Sequence, residues 1–300
     1  MPARFRPVDL LTLAFLALLA AVTVLFWPRI PHAGWLLGRF LATALAVLLL
    51  ACRAAAVPPS RTAGTLQALL PILVIPVLFD SMGDLIPWVR PVLYDALLIR
   101  IDQAVFGVHP TIWLERFIHP AFTTVMQFAY ISYYPLAAAV GIVLLARGRW
   151  EEFDEAIFGI ILCFYLSYLG YLLVPAIGPR FTLAHLQTVD LQAGPLVIAI
   201  QETLNRLENT KTDAFPSGHT AVALLSLWYA RKMRERALFA VLVPVVAGLI
   251  LSTVYLRYHY VIDVVAGFAL ALLTLWLVPV LYPFFLRATG QARDELHRSA

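Results

Sequence analysis

What most constrains this chain is a series of apolar stretches close to the length of a bilayer. A hydrocarbon core about 30 Å thick is crossed by a helix of about 20 residues. Stretches near that length fall at residues 10–27, 35–51, 66–86, 122–146, 156–174, 237–255 and 261–283, with a shorter one at 217–230. Lipid offers no partner to backbone N–H and C=O groups, so each stretch must satisfy its own as a helix. The expected fold class is therefore all-α: a polytopic membrane helical bundle of about eight transmembrane helices. Composition agrees, since 61% of the residues are hydrophobic and 13% charged, against roughly half and a quarter in soluble chains. The first stretch runs into Trp27-Pro28-Arg29 without a small-residue cleavage signature, so it reads as a retained helix. Cys52 and Cys163 fall in or beside apolar runs and imply neither a disulfide framework nor a metal site. No linker, repeat or low-complexity tract divides the chain, which reads as one integral membrane domain.

Basic residues set the expected orientation. With the N-terminus in the cytoplasm, every short cytoplasmic segment is basic: Arg4 and Arg6, Arg53 and Arg61, Arg147 and Arg149, Arg231 to Arg236, and Arg287 to Arg298. Both termini then lie inside. The segment 175–213, the start of the 217–230 helix and residues 257–263 lie on the outer face. The net charge of +4 follows from this topology and calls for no nucleic-acid partner. Segments 97–106, 111–118 and 195–209 mix apolar and charged residues at helical spacing, with Leu98, Ile101 and Val105 as the apolar stripe of the first. They read as helices in the outer interface, either gating substrate or packing on the bundle.

Two polar blocks stand at the outer ends of apolar stretches, where polar residues are expensive. In Phe215-Pro216-Ser217-Gly218-His219 the chain starts a helix. Pro suits the first turn, Gly permits close approach, and the unpaired N–H groups make an anion site. Ser217 adds a hydroxyl and His219 a ring. The 217–230 stretch spans about 21 Å at 1.5 Å per residue, less than the hydrocarbon core, so its start is predicted to lie below the headgroups. In Arg257-Tyr258-His259-Tyr260-Val261-Ile262-Asp263 the His and Asp are four apart, on one face if helical. A carboxylate on one ring nitrogen frees the other to attack or to take a proton. Arg257 offers a fork of donors to phosphate, and Arg180, in Gly178-Pro179-Arg180, a second guanidinium.

Pro216-Ser217-Gly218-His219 together with Arg257-x-His259-x3-Asp263 resembles the type 2 phosphatidic acid phosphatase (PAP2) superfamily. The resemblance covers roughly residues 122–283 and implies a six-helix catalytic core. The chain then divides into N-terminal helices and an interfacial segment (1–120), the catalytic bundle (121–285) and a cytoplasmic tail (286–300). One block departs from the pattern. Where the superfamily has Lys-x6-Arg-Pro, Leu173 stands seven residues before Arg180, and the proline precedes the arginine. Gly178-Pro179-Arg180-Phe181 is closer to the inositol phosphorylceramide synthase branch, which transfers a phospho-headgroup between lipids.

The resemblance implies that His259, oriented by Asp263, attacks phosphorus, and that His219 protonates the leaving alkoxide and then deprotonates water or an alcohol. Arg180, Arg257, Ser217 and Gly218 would bind the phosphoryl oxygens, with no cofactor and no metal. The implied partners are a phospholipid or polyprenyl phosphate and a lipid alcohol or water, in what reads as a bacterial cytoplasmic membrane. Hydrolysis alone is the alternative. A non-catalytic anion or lipid carrier would spread its polar residues through the membrane depth, whereas here they gather at one face. Lys211 lies near the motif but matches no superfamily position. Asp80 and Asp84 read as a helix end in water. His109, His119 and His185 read as solvated. Tyr130, Tyr133, Tyr134, Tyr165, Tyr168 and Tyr171 read as interhelical packing or the wall of a lipid slot.

Overall fold

The computed structural model describes residues 5–56, 61–192, 194, 197–200, 203 and 210–290. Apolar runs fold into helices, as the demand for internal backbone pairing requires. In chain order they are α1 (Pro7–Leu25), α2 (Ala33–Ala56), α3 (Arg61–Val89), α4 (Asp95–Phe106), α5 (Pro110–Trp113), α6 (Pro120–Ile131), α7 (Tyr133–Ala146), α8 (Trp150–Leu173), α9 (Pro179–Thr182), α10 (Gly218–Lys232), α11 (Arg236–Tyr255) and α12 (Val261–Ala288). Among the described residues no strand forms. One isolated parallel bridge joins Ala176 to Asp213.

Six of these helices, α1, α2, α3, α8, α11 and α12, are long and apolar enough to cross a membrane. The expected span at 122–146 is α6 and α7, bent by 43° at Ser132 and apolar enough to cross only as a pair. The expected short span is α10, with 15 residues. It is packed against α7, α8, α11 and α12, and most of its surface is buried.

Two buried clusters share α8. One joins α1, α2 and α3 to α8, with Phe15 stacked on Tyr165 at 4.2 Å between centroids. The other joins α7, α10, α11 and α12 to α8 around Tyr229. Lipid tails are as apolar as these side chains, so association depends on close packing, and small residues permit it. Gly170 meets the Pro216 ring, and a Cβ on Gly267 would stand 2.6 Å from the Ser217 carbonyl. Large apolar side chains such as Leu25, Leu73, Leu272, Trp276 and Phe284 face outward, as a lipid-facing surface requires.

The end of the bundle away from α10's first turn is tied by ion pairs. Arg149 donates to Glu235 at 2.5 Å and also bonds Glu152 and the Met233 carbonyl. Arg147 reaches Glu235 at 3.0 Å. These contacts lock the α7–α8 turn to the α10–α11 turn.

Two expectations change. In α4 the buried residues are Asp95, Leu98 and Asp102, whereas Val105 is exposed, because the two carboxylates find donors on neighbouring segments. Asp80 and Asp84 do not end a helix in water. Helix α3 runs on to Val89, and Arg39 of α2 binds Asp80 at 2.6 Å and approaches Asp84 at 3.7 Å. His119 is exposed, as expected, and also caps α6, accepting from the Ala121 N–H. Most of the expected interfacial helix at 195–209 lies outside the described residues. The two cysteines are free.

Candidate active site

The site forms where α8 ends and α10 and α12 begin. Helix α10 starts on Ser217, whose hydroxyl accepts from the Thr220 N–H at 3.2 Å and the Thr220 hydroxyl at 3.0 Å. That is ordinary N-capping, here fully buried. The Ser217 N–H donates to the Asp263 carbonyl at 3.0 Å, which joins the starts of α10 and α12. The Phe215–Pro216 peptide is cis.

These contacts put two imidazoles face to edge, with His259 Nε2 3.4 Å from His219 Nδ1. The other nitrogen of His259, Nδ1, lies 2.7 Å from the Ala214 carbonyl and 3.4 Å from Asp263 Oδ2. A carbonyl can only accept, so Nδ1 carries the proton and Nε2 is the free nitrogen. The carbonyl makes the short contact, and Asp263 stands beside it. Asp263 is itself fixed: Oδ2 accepts from the Tyr260 N–H at 2.9 Å, and Oδ1 is buried without a hydrogen-bond partner.

An open cavity lies over the two rings. Its walls are Tyr130, Ile177, Arg180, Phe181, Thr210, Lys211, Asp213, Ala214, His219, Tyr258 and His259. Arg180 stands 5.6 Å over the Tyr258 ring. Tyr258 stacks on Tyr130 at 4.4 Å, and Tyr130 on His219 at 4.8 Å. A continuous stack thus links the guanidinium to the imidazole, with cation–π attraction at one end. Tyr133 also approaches the His219 ring, at 4.3 Å between centroids. The bend between α6 and α7 presents both tyrosines to one ring.

The expected site residues therefore divide into two groups. Arg180, His219 and His259 line the cavity, and Asp263 supports His259 from behind. Ser217 and Gly218 do not line it. They are buried in the start of α10, with Gly218 pressed against the Tyr171 hydroxyl. Arg257 does not line it either. Its guanidinium donates to Glu115 at 2.8 Å, to Gln187 at 3.0 Å and to the Val189 carbonyl at 2.6 Å. Burial pulls the Arg257 pKa down, and the Glu115 carboxylate opposes that. The Arg257 carbonyl accepts from the Arg180 N–H at 2.8 Å, so this residue holds Arg180 through the backbone.

A model of the PAP2 superfamily matches residues 96–277. The chain belongs to the PAP2 superfamily. Membership points to phosphatase or phosphotransferase activity. No curated protein and no solved structure gives a match. The PAP2 match starts inside α4, so it takes in the helices before α6 as well as the bundle that carries the two motifs.

Lys211, Asp213, Tyr130 and Tyr258 enter the site without having been assigned to it from the sequence. Lys211 places an ammonium group in the same cavity wall as Arg180, although the lysine of the usual superfamily block is replaced by Leu173. Asp213, half-buried two residues further on, has its carboxyl raised above the ordinary range by burial, with His259 and Lys211 pulling the other way. The available signal was local: Lys211 and Asp213 stand within eight residues of His219 in a chain where charges are scarce.

Proposed function

We propose that this PAP2 protein is an integral-membrane lipid phosphotransferase acting through a phosphohistidine on His259. The observation that carries the reading is the free His259 Nε2 directed at His219 under a cavity walled by Arg180 and Lys211. Nε2 attacks phosphorus, forming the N–P bond as the bond to the lipid alkoxide breaks. In its protonated form His219 gives its proton to that alkoxide. The acceptor hydroxyl then passes its proton to His219, its oxygen bonds phosphorus, and the N–P bond breaks. Arg180 and Lys211 hold the phosphoryl oxygens, where charge accumulates in such transfers. Asp263 steadies the imidazolium-like His259. Arg257, Ser217 and Gly218 act as the frame that holds these groups.

Water and a lipid alcohol are both competent acceptors for a phosphohistidine. The transferred group is a phosphoryl or a phospho-headgroup of the inositol-phosphate kind, and the Leu173 and Pro179-Arg180 departures favour headgroup transfer over hydrolysis alone. The basic short segments support an outer-leaflet site with both termini in the cytoplasm.

The test is incubation of purified protein with phospholipids, with and without an alcohol acceptor. A new phospholipid formed at the expense of the donor is the expected product. Free phosphate or free phospho-headgroup alone, with acceptor in excess, would leave the hydrolase reading. His259→Ala should abolish both products, and turnover in that variant sinks the covalent mechanism. His219→Ala should slow departure of an ordinary alkoxide by about 10²–10⁴-fold, and a donor with a good leaving group should recover much of the loss. Absence of that recovery at unchanged binding removes the acid role.

A further inference from the structure

Helix α4 carries two carboxylates, Asp95 and Asp102, that are buried at 5% and 2% exposure. Seven residues apart, they lie on one helix face about 10.5 Å along the axis. A buried carboxylate is costly without donors. Every donor that these two find comes from the segments that bear Arg180 and His259. Asp95 accepts from the Ile177 N–H at 3.1 Å, the Gly178 N–H at 2.9 Å and the Tyr260 hydroxyl at 2.9 Å. Asp102 accepts from the Val261 N–H at 2.8 Å and the Ile262 N–H at 2.9 Å, one on each oxygen.

The second set of contacts is a helix cap supplied from elsewhere in the chain. Val261 and Ile262 are the first residues of α12, and their N–H groups have no partner within that helix. The residue before them, Tyr260, sends its hydroxyl to Asp95 and Thr182 instead. The start of α12 therefore depends on α4, and so does the turn that carries His259 two residues earlier. On the other side, Gly178 stands two residues before Arg180, with a φ of 87° and no room for a Cβ against the Tyr258 carbonyl. Its orientation is set by the bond to Asp95.

We propose that Asp95 and Asp102 are positioning residues that fix where the Arg180 guanidinium stands relative to His259 Nε2. Neither carboxylate lines the cavity or touches the reacting atoms. The proposal rests on the reading of His259 as nucleophile and Arg180 as phosphate ligand. It predicts different consequences for the two. Loosening the α12 cap disturbs the attacking ring, a transition-state matter. Loosening the Gly178 segment disturbs a phosphate contact present in ground and transition states alike.

The experiment uses the full chain in proteoliposomes and the near-isosteric variants Asp102→Asn and Asp95→Asn. Each keeps one acceptor oxygen and loses the other. Asp102→Asn should lower kcat about tenfold at unchanged KM, and Asp95→Asn should raise KM about tenfold, the split that separates the two kinds of contact. Orthovanadate, which adopts the five-coordinate geometry of phosphoryl transfer, should bind Asp95→Asn about tenfold more weakly than wild type. Wild-type kinetics in both variants, or the same shift of kcat and KM in the two, overturns the proposal. If either variant fails to fold, Tyr260→Phe removes a single donor from Asp95. It should still raise KM, by less than Asp95→Asn does, and an unchanged KM overturns the Asp95 assignment. A wild-type chain that neither turns over phospholipid nor binds orthovanadate sinks the functional reading itself. Orthovanadate bound equally by wild type and Asp95→Asn sinks only the positioning role.

Discussion

Arg257 shows how a residue that looks made for phosphate is used otherwise. Its backbone has a φ of 65°, in a region that costs a non-glycine residue about 1 kcal/mol or more. Its side chain is paired with Glu115, both side chains being nearly inaccessible at 6% and 8% exposure. Glu115 also accepts from the Thr188 N–H and hydroxyl. Removing one partner of a buried pair leaves an uncompensated charge and costs about 3–5 kcal/mol. Glu115→Gln should therefore lower the thermal midpoint clearly in detergent, with activity lost in proportion to unfolding, whereas an Arg180 variant should lose phosphate affinity at an unchanged midpoint. Asp213 gives a pH signature. Because burial raises its folded-state pKa, its contribution to stability is full below the ordinary carboxyl pKa and is lost as pH rises through the raised value. Asp213→Asn should then raise the midpoint at neutral pH and leave it unchanged well below pH 4. A midpoint that shifts equally at both pH values removes this account.

At the scale of the element, α10 is short because its first turn is buried beneath its neighbours. Gly170 on α8 and Gly267 on α12 make the room, the latter against the Ser217 backbone. Gly267→Ala should push α12 off α10, at about the 1–3 kcal/mol of an overpacked core, and should separate the two imidazoles. A full-length crosslinking or activity profile unchanged in that variant would show the contact to be slack. The elements bearing the two histidines were legible in the sequence because each histidine ends an apolar run next to a local motif. The acceptors that hold those elements were not. Asp95 acts on residues 82, 83 and 165 positions away, and Asp102 on residues 159 and 160 away, distances that no local periodicity encodes. The α4 stripe was misread for the same reason: carboxylates on an inward face look solvated until their donors are known. The bend at Ser132 does have a signal in the sequence, because Pro135 offers no N–H to the Ile131 carbonyl four residues back, although the 43° angle is not readable from it.

Across the whole molecule the two ends are chemically distinct. One holds the imidazoles and the cavity. The other holds Arg147, Arg149 and Glu235. With exposed Cys52 replaced by Ser, a cysteine at the exposed position Leu186 should react with a membrane-impermeant reagent added from outside intact cells. Labelling only after access to the cytoplasm reverses the orientation. The enclosure of α10 has a consequence for the lipid around the protein. A lone helix of 15 residues would force a thinner bilayer around itself or tilt to suit it, since mismatch carries a cost for every ångström. Here α10 is packed against α7, α8, α11 and α12, so the depth of the histidine pair is expected to follow from protein contacts and not from acyl-chain length. Turnover should therefore stay nearly level across vesicles of short-chain and long-chain lipids, a chemistry insulated from the membrane in which it works.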